Sequence, residues 1–277
     1  MAESAKQLEK APLPDYERPP VIEVVCGITF KPLDRFLAPH LGLYWEKIRE
    51  RYSACAEKNP LAPAIEGPLG RKPLELEFVD VPPIPRIWFV NQESNELIQV
   101  QRDRFLHNWR KKDEDARYPK YTSVMAEFQG QAETFRAFIA EKELGSIEPL
   151  QYELTYVNHI PQGDCWESAT DLSHLLVAFN NRVCNGQFLP AVEGLDWTTT
   201  FSLPNDNGRL YVQLRTAVKA DEPEKKLLQL NITARGIGQF QKLSDMRLWF
   251  DIAHEWIVRG FADLTTDEVQ KKIWRRK

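Results

Sequence analysis

Hydrophobic and polar positions along this chain follow two periods, and their order lays out the elements. Val21-Ile22-Glu23-Val24-Val25-Cys26-Gly27-Ile28-Thr29-Phe30 is β-branched and largely apolar, which predicts a buried strand. Leu41, Tyr44, Trp45, Ile48 and Tyr52 then recur at helical spacing. Residues 59–73 are rich in proline and glycine and read as loop, with a short strand from Leu74 to Val79 after them. Arg86 to Asn91 forms another strand, joined through Gln92-Glu93-Ser94-Asn95-Glu96 to a hairpin partner beginning at Leu97. An amphipathic helix follows, carrying Tyr121, Val124, Met125, Phe128, Ala132, Phe135, Phe138 and Ile139 on one face and stopping near Gly145.

The pattern then begins again. Tyr152 to Ile160 is a strand and Asp171 to Asn180 a short helix. Trp197–Leu203, Arg209–Ala220 and Lys226–Ala234 form a meander, with turns at Pro204-Asn205-Asp206-Asn207-Gly208 and Asp221-Glu222-Pro223-Glu224. A closing helix carries Met246, Trp249, Phe250, Ala253, Trp256, Ile257 and Phe261. A last helix starts at a capping box, Thr265 with Glu268, with Leu264 and Val269 as its hydrophobic staple.

Each half therefore reads strand, helix, three strands, helix. Such a unit gives an α+β fold: a curved antiparallel sheet with helices packed on one face and the other face partly wet. Two β-α-β-β-β-α half-units side by side, residues 20–148 and 149–277, make a longer saddle, architecturally like helix-grip folds and the TATA-binding protein. Residues 1–19 read as a flexible lead-in.

One segment departs from simple core patterning. Leu97-Ile98-Gln99-Val100-Gln101-Arg102-Asp103-Arg104-Phe105-Leu106-His107-Asn108-Trp109-Arg110 reads as a single long polar strand. If extended, Gln99, Gln101, Asp103, Phe105, His107 and Trp109 share one face; Ile98, Val100, Arg102, Arg104, Leu106, Asn108 and Arg110 share the other. Neither face is purely apolar. The strand is thus either satisfied by an internal polar network or aimed at a partner.

Composition narrows the classes. A chain of 277 residues, 43% of them hydrophobic, can bury a sizeable core. No run is long enough to span a bilayer, and the first residues lack a signal-peptide core, so a cytoplasmic protein is expected. Cys26, Cys55, Cys165 and Cys184 form no CxxC pair, which argues against a disulfide framework and a zinc site. The net charge of -4 speaks against a dedicated nucleic-acid binder. Locally, Lys271, Lys272, Arg275, Arg276 and Lys277 form a basic C-terminus with no acidic run beside it.

Signatures of known chemistry are missing: no GxSxG elbow, Walker loop, HExxH or Rossmann glycine pattern occurs. Gly67-Pro68-Leu69-Gly70-Arg71-Lys72 lacks the spacing and the Ser/Thr of a phosphate loop. Asp103 and His107 lie about 13 Å apart along an extended strand, too far to bond directly. His159 and His254 have no ligand-spaced partner in sequence. No catalytic set, metal site or cofactor is implied.

Several strings nevertheless resemble a known family. They are Arg18-Pro19-Pro20-Val21-Ile22-Glu23-Val24-Val25, His40-Leu41-Gly42-Leu43-Tyr44-Trp45, the Leu97–Arg110 segment, Tyr156-Val157-Asn158-His159-Ile160 and Ala253-His254-Glu255-Trp256-Ile257-Val258. Across nearly its whole length the chain resembles an uncharacterised, sporadically distributed family of bacterial and archaeal proteins. The resemblance implies an association with mobile, defence-related and CRISPR-associated gene neighbourhoods, and it carries over no activity or site residues.

The expectation is a non-catalytic, protein-binding accessory or regulatory subunit of a prokaryotic antiviral defence system. Gln99, Gln101, Arg102, Asp103, Arg104, His107, Asn108, Trp109 and Arg110 are its candidate contact residues, Trp and Arg being common interface anchors. The first alternative is a single-stranded nucleic-acid-binding module using the sheet face or Lys271, Lys272, Arg275, Arg276 and Lys277. The second is an enzyme drawing on Asp103, His107, His159 and His254.

Overall fold

The computed structural model describes residues 12–62, 65–67, 70–71, 84–113, 115–168, 171–178, 192–219, 222 and 224–277. The strand expected from Leu74 to Val79, Cys184 and residues 1–11 lie outside them. In chain order the elements are β1 (Val21–Phe30), α1 (Ala38–Ile48), β2 (Ala54–Lys58), β3 (Glu66–Gly67), β4 (Gly70–Arg71), β5 (Arg86–Val90), β6 (Glu96–Gln101) and β7 (Arg104–Arg110). They continue with α2 (Tyr121–Glu141), β8 (Pro149–Pro161), α3 (Leu172–Leu175), β9 (Asp196–Ser202), β10 (Arg209–Val218), β11 (Lys226–Gly236), α4 (Met246–Leu264) and α5 (Asp267–Lys272).

Among the described residues nine strands form one open antiparallel sheet in the order β2-β5-β6-β7-β1-β8-β11-β10-β9, while β3 and β4 pair separately. The first strand of each half sits at the centre, where β1 and β8 run antiparallel with Cys26 opposite Leu154. Outward from that seam each half repeats its last strand first, β7 beside β1 and β11 beside β8. Strand order outward from the seam is thus the same on both sides, last strand first, with β2 an extra edge strand beyond β5. The expected α+β fold is the one observed.

Alternation sorts each strand into two faces. Val24, Cys26, Ile28 and Phe30 of β1 pack with Tyr152, Leu154 and Tyr156 of β8 and with Leu228, Leu230, Ile232 and Ala234 of β11 beneath the helices. Helix α2 lays Phe128 and Phe135 on Phe105 of β7, and α4 lays Trp249 and Phe250 on Tyr152. Tyr44 of α1 meets Phe89, Phe135 and Phe138. One hydrophobic cluster runs through both halves.

Three expectations are corrected. Leu97–Arg110 is a hairpin rather than one strand: Gln101 pairs with Arg104 and the chain reverses at Arg102-Asp103. The last helix is capped by Thr266, whose hydroxyl accepts from the Val269 N–H, whereas the Thr265 hydroxyl donates to the Phe261 carbonyl and closes α4. Part of the lead-in is docked: Glu17 N and Arg18 N bond to the carbonyls of Arg275 and Trp274, and Tyr16 donates to Gln270 Oε1 at 3.0 Å. No helix among the described residues is long and apolar enough to cross a membrane.

Candidate functional site

Reversal at Arg102-Asp103 redistributes the polar segment. In a two-residue hairpin, cross-strand partners share a face, so Val100 joins Phe105 and Ile98 joins His107 under the helices. Trp109 joins them, buried against Tyr118 at 5.4 Å between ring centroids. Gln99, Gln101, Arg104, Leu106, Asn108 and Arg110 occupy the opposite face, open in that no helix packs on it among the described residues. There the expected contact residues Gln99, Gln101 and Asn108 are nevertheless buried, and only Arg104 and Arg110 reach solvent in part. His107 and Trp109, expected at a contact surface, therefore belong to the interior.

On the open face most of the remaining candidates bond to one another. Arg86 Nη1 and Trp88 Nε1 both donate to Gln99 Oε1 at 2.9 Å. Gln99 Nε2 donates to Asn108 Oδ1 at 2.8 Å, and Asn108 Nδ2 to Glu23 Oε1 at 2.6 Å. This relay crosses four neighbouring strands, β5, β6, β7 and β1. Burial raises the Glu23 carboxyl above the usual range, opposed by the Asn108 hydrogen bond and by Arg110. Leu106 lies over Gly27, where a Cβ would meet its Cδ2 at 2.4 Å, so a side chain at 27 would displace it.

Residues 59–62 and 65–67 lie across this face. Leu61 exchanges two hydrogen bonds with the Gln101 amide, at 2.9 and 3.0 Å, and Arg104 Nη2 donates to the Ala62 carbonyl. Further on, Glu66 N donates to Gln151 Oε1, and the Glu66 carboxylate accepts from Arg209 Nη1 at 3.1 Å and from the Tyr211 hydroxyl at 2.8 Å. The chain thus docks one of its own carboxylates on an arginine-tyrosine pair of β10.

The other end of the face, over β2, β5 and β7, holds cations that make no direct ion pair with a described residue. Lys58 Nζ lies 4.9 Å from the Trp88 ring centroid, Arg86 Cζ 5.6 Å and Arg110 Cζ 5.9 Å. Among the described residues none of Lys58, Arg86, Arg104 and Arg110 forms a direct ion pair, though Arg104 acts on Asp103 and Arg110 on Glu23 through their charge, and the Nε of each arginine is buried without a hydrogen-bond partner there. Burial, helped by the nearby Arg104, lowers the Arg86 pKa. Such a grouping costs free energy unless an anion meets it.

Arg102 and Asp103 fill the turn. Their carbonyls accept from Leu33 N and Phe30 N, and the Asp103 carboxylate accepts from Gln101 Nε2 at 3.0 Å. Burial raises the Asp103 pKa. His107 stands instead beside Glu96 and Glu127 and is pushed down to about 4 by burial. His159 lies on the open face of β8 opposite Gln229, and His254 is stacked on Tyr121 at 3.8 Å. Asp103, His107, His159 and His254 do not meet in one constellation.

The C-terminal cations are paired. Lys271 and Lys272 reach back one helical turn to Asp267 and Glu268, Arg275 meets Glu17, and Lys277 meets Asp15. Arg276 donates to Gln270 Oε1. Sequence order hid these counterions because two of them come from the other end of the chain. Sequence reasoning also passed over Lys58, Arg86 and Trp88, which an alternating pattern on neighbouring strands would have placed on the same face as Gln99. No protein-family model, curated protein or solved structure matches the chain.

Proposed function

We propose that this chain is a non-catalytic binding module that takes an acidic segment of a partner protein on the open face of its sheet. The observation that carries the reading is the cluster of Lys58, Arg86 and Arg110 around Trp88, with Arg104 near Arg86, cationic and without a direct ion pair among the described residues. Glu66 on Arg209 and Tyr211 supplies the intramolecular precedent for how a carboxylate seats on this face. Resemblance to a family found in defence-related neighbourhoods supports the role of accessory or regulatory subunit in a prokaryotic, CRISPR-associated defence system.

Single-stranded nucleic acid is the second reading, favoured by the same cations beside an indole. It is weaker because the chain's own cations crowd Trp88, so a base would have to displace them to stack. The test is affinity capture from the native host with the wild-type chain and with a Lys58→Glu/Arg86→Gln variant of unchanged melting temperature. A protein retained by the wild type and depleted about tenfold or more by the variant is expected, since interface cations act through complementary charge. Equal capture by both chains defeats the proposal. A nuclease-sensitive complex whose affinity falls steeply with salt transfers the face to nucleic acid.

A further inference from the structure

A second polar cluster lies on the helix side of the sheet, away from the cationic face. Glu96 opens β6, His107 lies in β7 and Glu127 in α2, and one ligand atom from each falls within 4.8 Å of the others. His107 is 0% exposed, and neither of its ring nitrogens has a hydrogen-bond partner among the described residues. The Tyr52 hydroxyl, facing the same two carboxylates, is equally buried and equally unpartnered. Arg51 holds the carboxylates, with Nη2 at 2.7 Å from Glu96 and Nη1 at 2.8 Å from Glu127. Its donors do not satisfy His107.

Buried imidazoles are paired in folded proteins, because an unmet nitrogen loses its hydration for nothing. Here the unmet groups are a nitrogen donor and a hydroxyl next to two carboxylates, which is the composition of a metal site rather than of a salt bridge. We propose that Glu96, His107 and Glu127 bind one divalent first-row transition-metal ion, with Arg51 as the cation that it displaces.

Charge and geometry agree with this assignment. Two carboxylates balance a divalent ion, and Arg51, whose side chain is 48% exposed, has a path out to solvent. Metal bonds of about 2.0 to 2.2 Å put ligand atoms roughly 3 to 4.4 Å apart, so the cluster needs to close only slightly. An imidazole beside carboxylates selects Mn(II), Fe(II) or Zn(II) over Mg(II) and Ca(II), which take oxygen ligands. Gln131 Nε2 donates to Glu127 Oε1 at 2.8 Å and fixes that carboxylate from outside, as supporting partners of metal ligands do. Three protein ligands leave positions for solvent, and the Tyr52 hydroxyl is the group placed to hold it.

The test uses the untagged full chain, freed of metal with a chelator and titrated with Mn(II) while the signal of the free ion is followed by electron paramagnetic resonance. About one equivalent should bind, and Zn(II) but not Mg(II) should compete. Glu127→Gln, a partly exposed helix position, should weaken binding about tenfold or more while the chain stays folded. His107→Ala should abolish it, and Arg51→Ala, by removing the competing cation, should tighten it. Stoichiometric binding left unchanged in Glu127→Gln and in Arg51→Ala overturns the site, as does the lack of any binding by the wild type. Neither result bears on the cationic face, which shares none of these residues.

Discussion

Trp109 is pinned between the sheet and Tyr118, with only 6% of it reaching solvent. Trp109→Ala should therefore cost about 3 to 5 kcal/mol in urea unfolding, the range for emptying a large aromatic site in a core. Arg110→Ala, one residue on and facing the other way, removes a half-buried side chain and should cost clearly less. Similar losses for the two would mean that the hairpin register is wrong. The expectation that Trp109 anchors a surface failed for a local reason. Two-residue hairpin loops usually announce themselves with Asn-Gly or Gly, whose backbones take positive φ. Arg102 and Asp103 both keep negative φ, so the reversal left no such mark in the sequence. Once parity is counted through the turn, the apolar residues Ile98, Val100, Phe105 and Trp109 fall together, and only His107 on that face and Leu106 on the other break the sorting.

Among the elements, residues 59–62 and 65–67 were legible as connection but not as a strap across the sheet. Proline and glycine mark where regular structure stops; they do not name Gln101, Gln151, Arg209 and Tyr211 as partners. Strand β2 was missed because Ala54-Cys55-Ala56-Glu57-Lys58 is small and polar, as suits an exposed edge. Strong periodic elements were read well, with α2 observed at Tyr121–Glu141 and β11 at Lys226–Gly236. The strap is fastened at its far end by Glu66, whose side chain is 8% exposed. In Glu66→Gln, amide exchange at residues 65–67 should accelerate about tenfold or more, while exchange in β8 and β1 stays unchanged. If those strands exchange faster too, the segment belongs to the sheet's cooperative unit and is not a separate strap.

At the scale of the whole molecule, α4 and α2 meet through His254, stacked on Tyr121 and close to Tyr156. Asp251, Arg247 and Glu255 are its charged neighbours. Burial pushes His254 down to about 4, with Asp251 and Glu255 opposing and Arg247 reinforcing. The unfolded chain, with an ordinary histidine near 6.5, therefore binds more protons between these values, and acid favours unfolding. Stability should fall by about 1 kcal/mol per pH unit from this group as the pH drops from 6.5 towards 4. His254→Phe keeps the ring stack and should make that part of the profile shallower by this share, His107 keeping its own; parallel wild-type and variant profiles would refute the assignment.

The central seam also has a consequence in time. Strand β1 has β7 on one side, yet its other edge stays bare until β8 has been made and folded back, since Cys26 and Leu154 are opposite each other. During synthesis the first half therefore emerges with a row of unpaired peptide groups along an apolar strand, the kind of edge that recruits other chains. The seam that makes one sheet of two half-units is thus the last protection to arrive. A nascent chain that pauses after α2 exposes this edge to a neighbour's copy of β8 as readily as to its own.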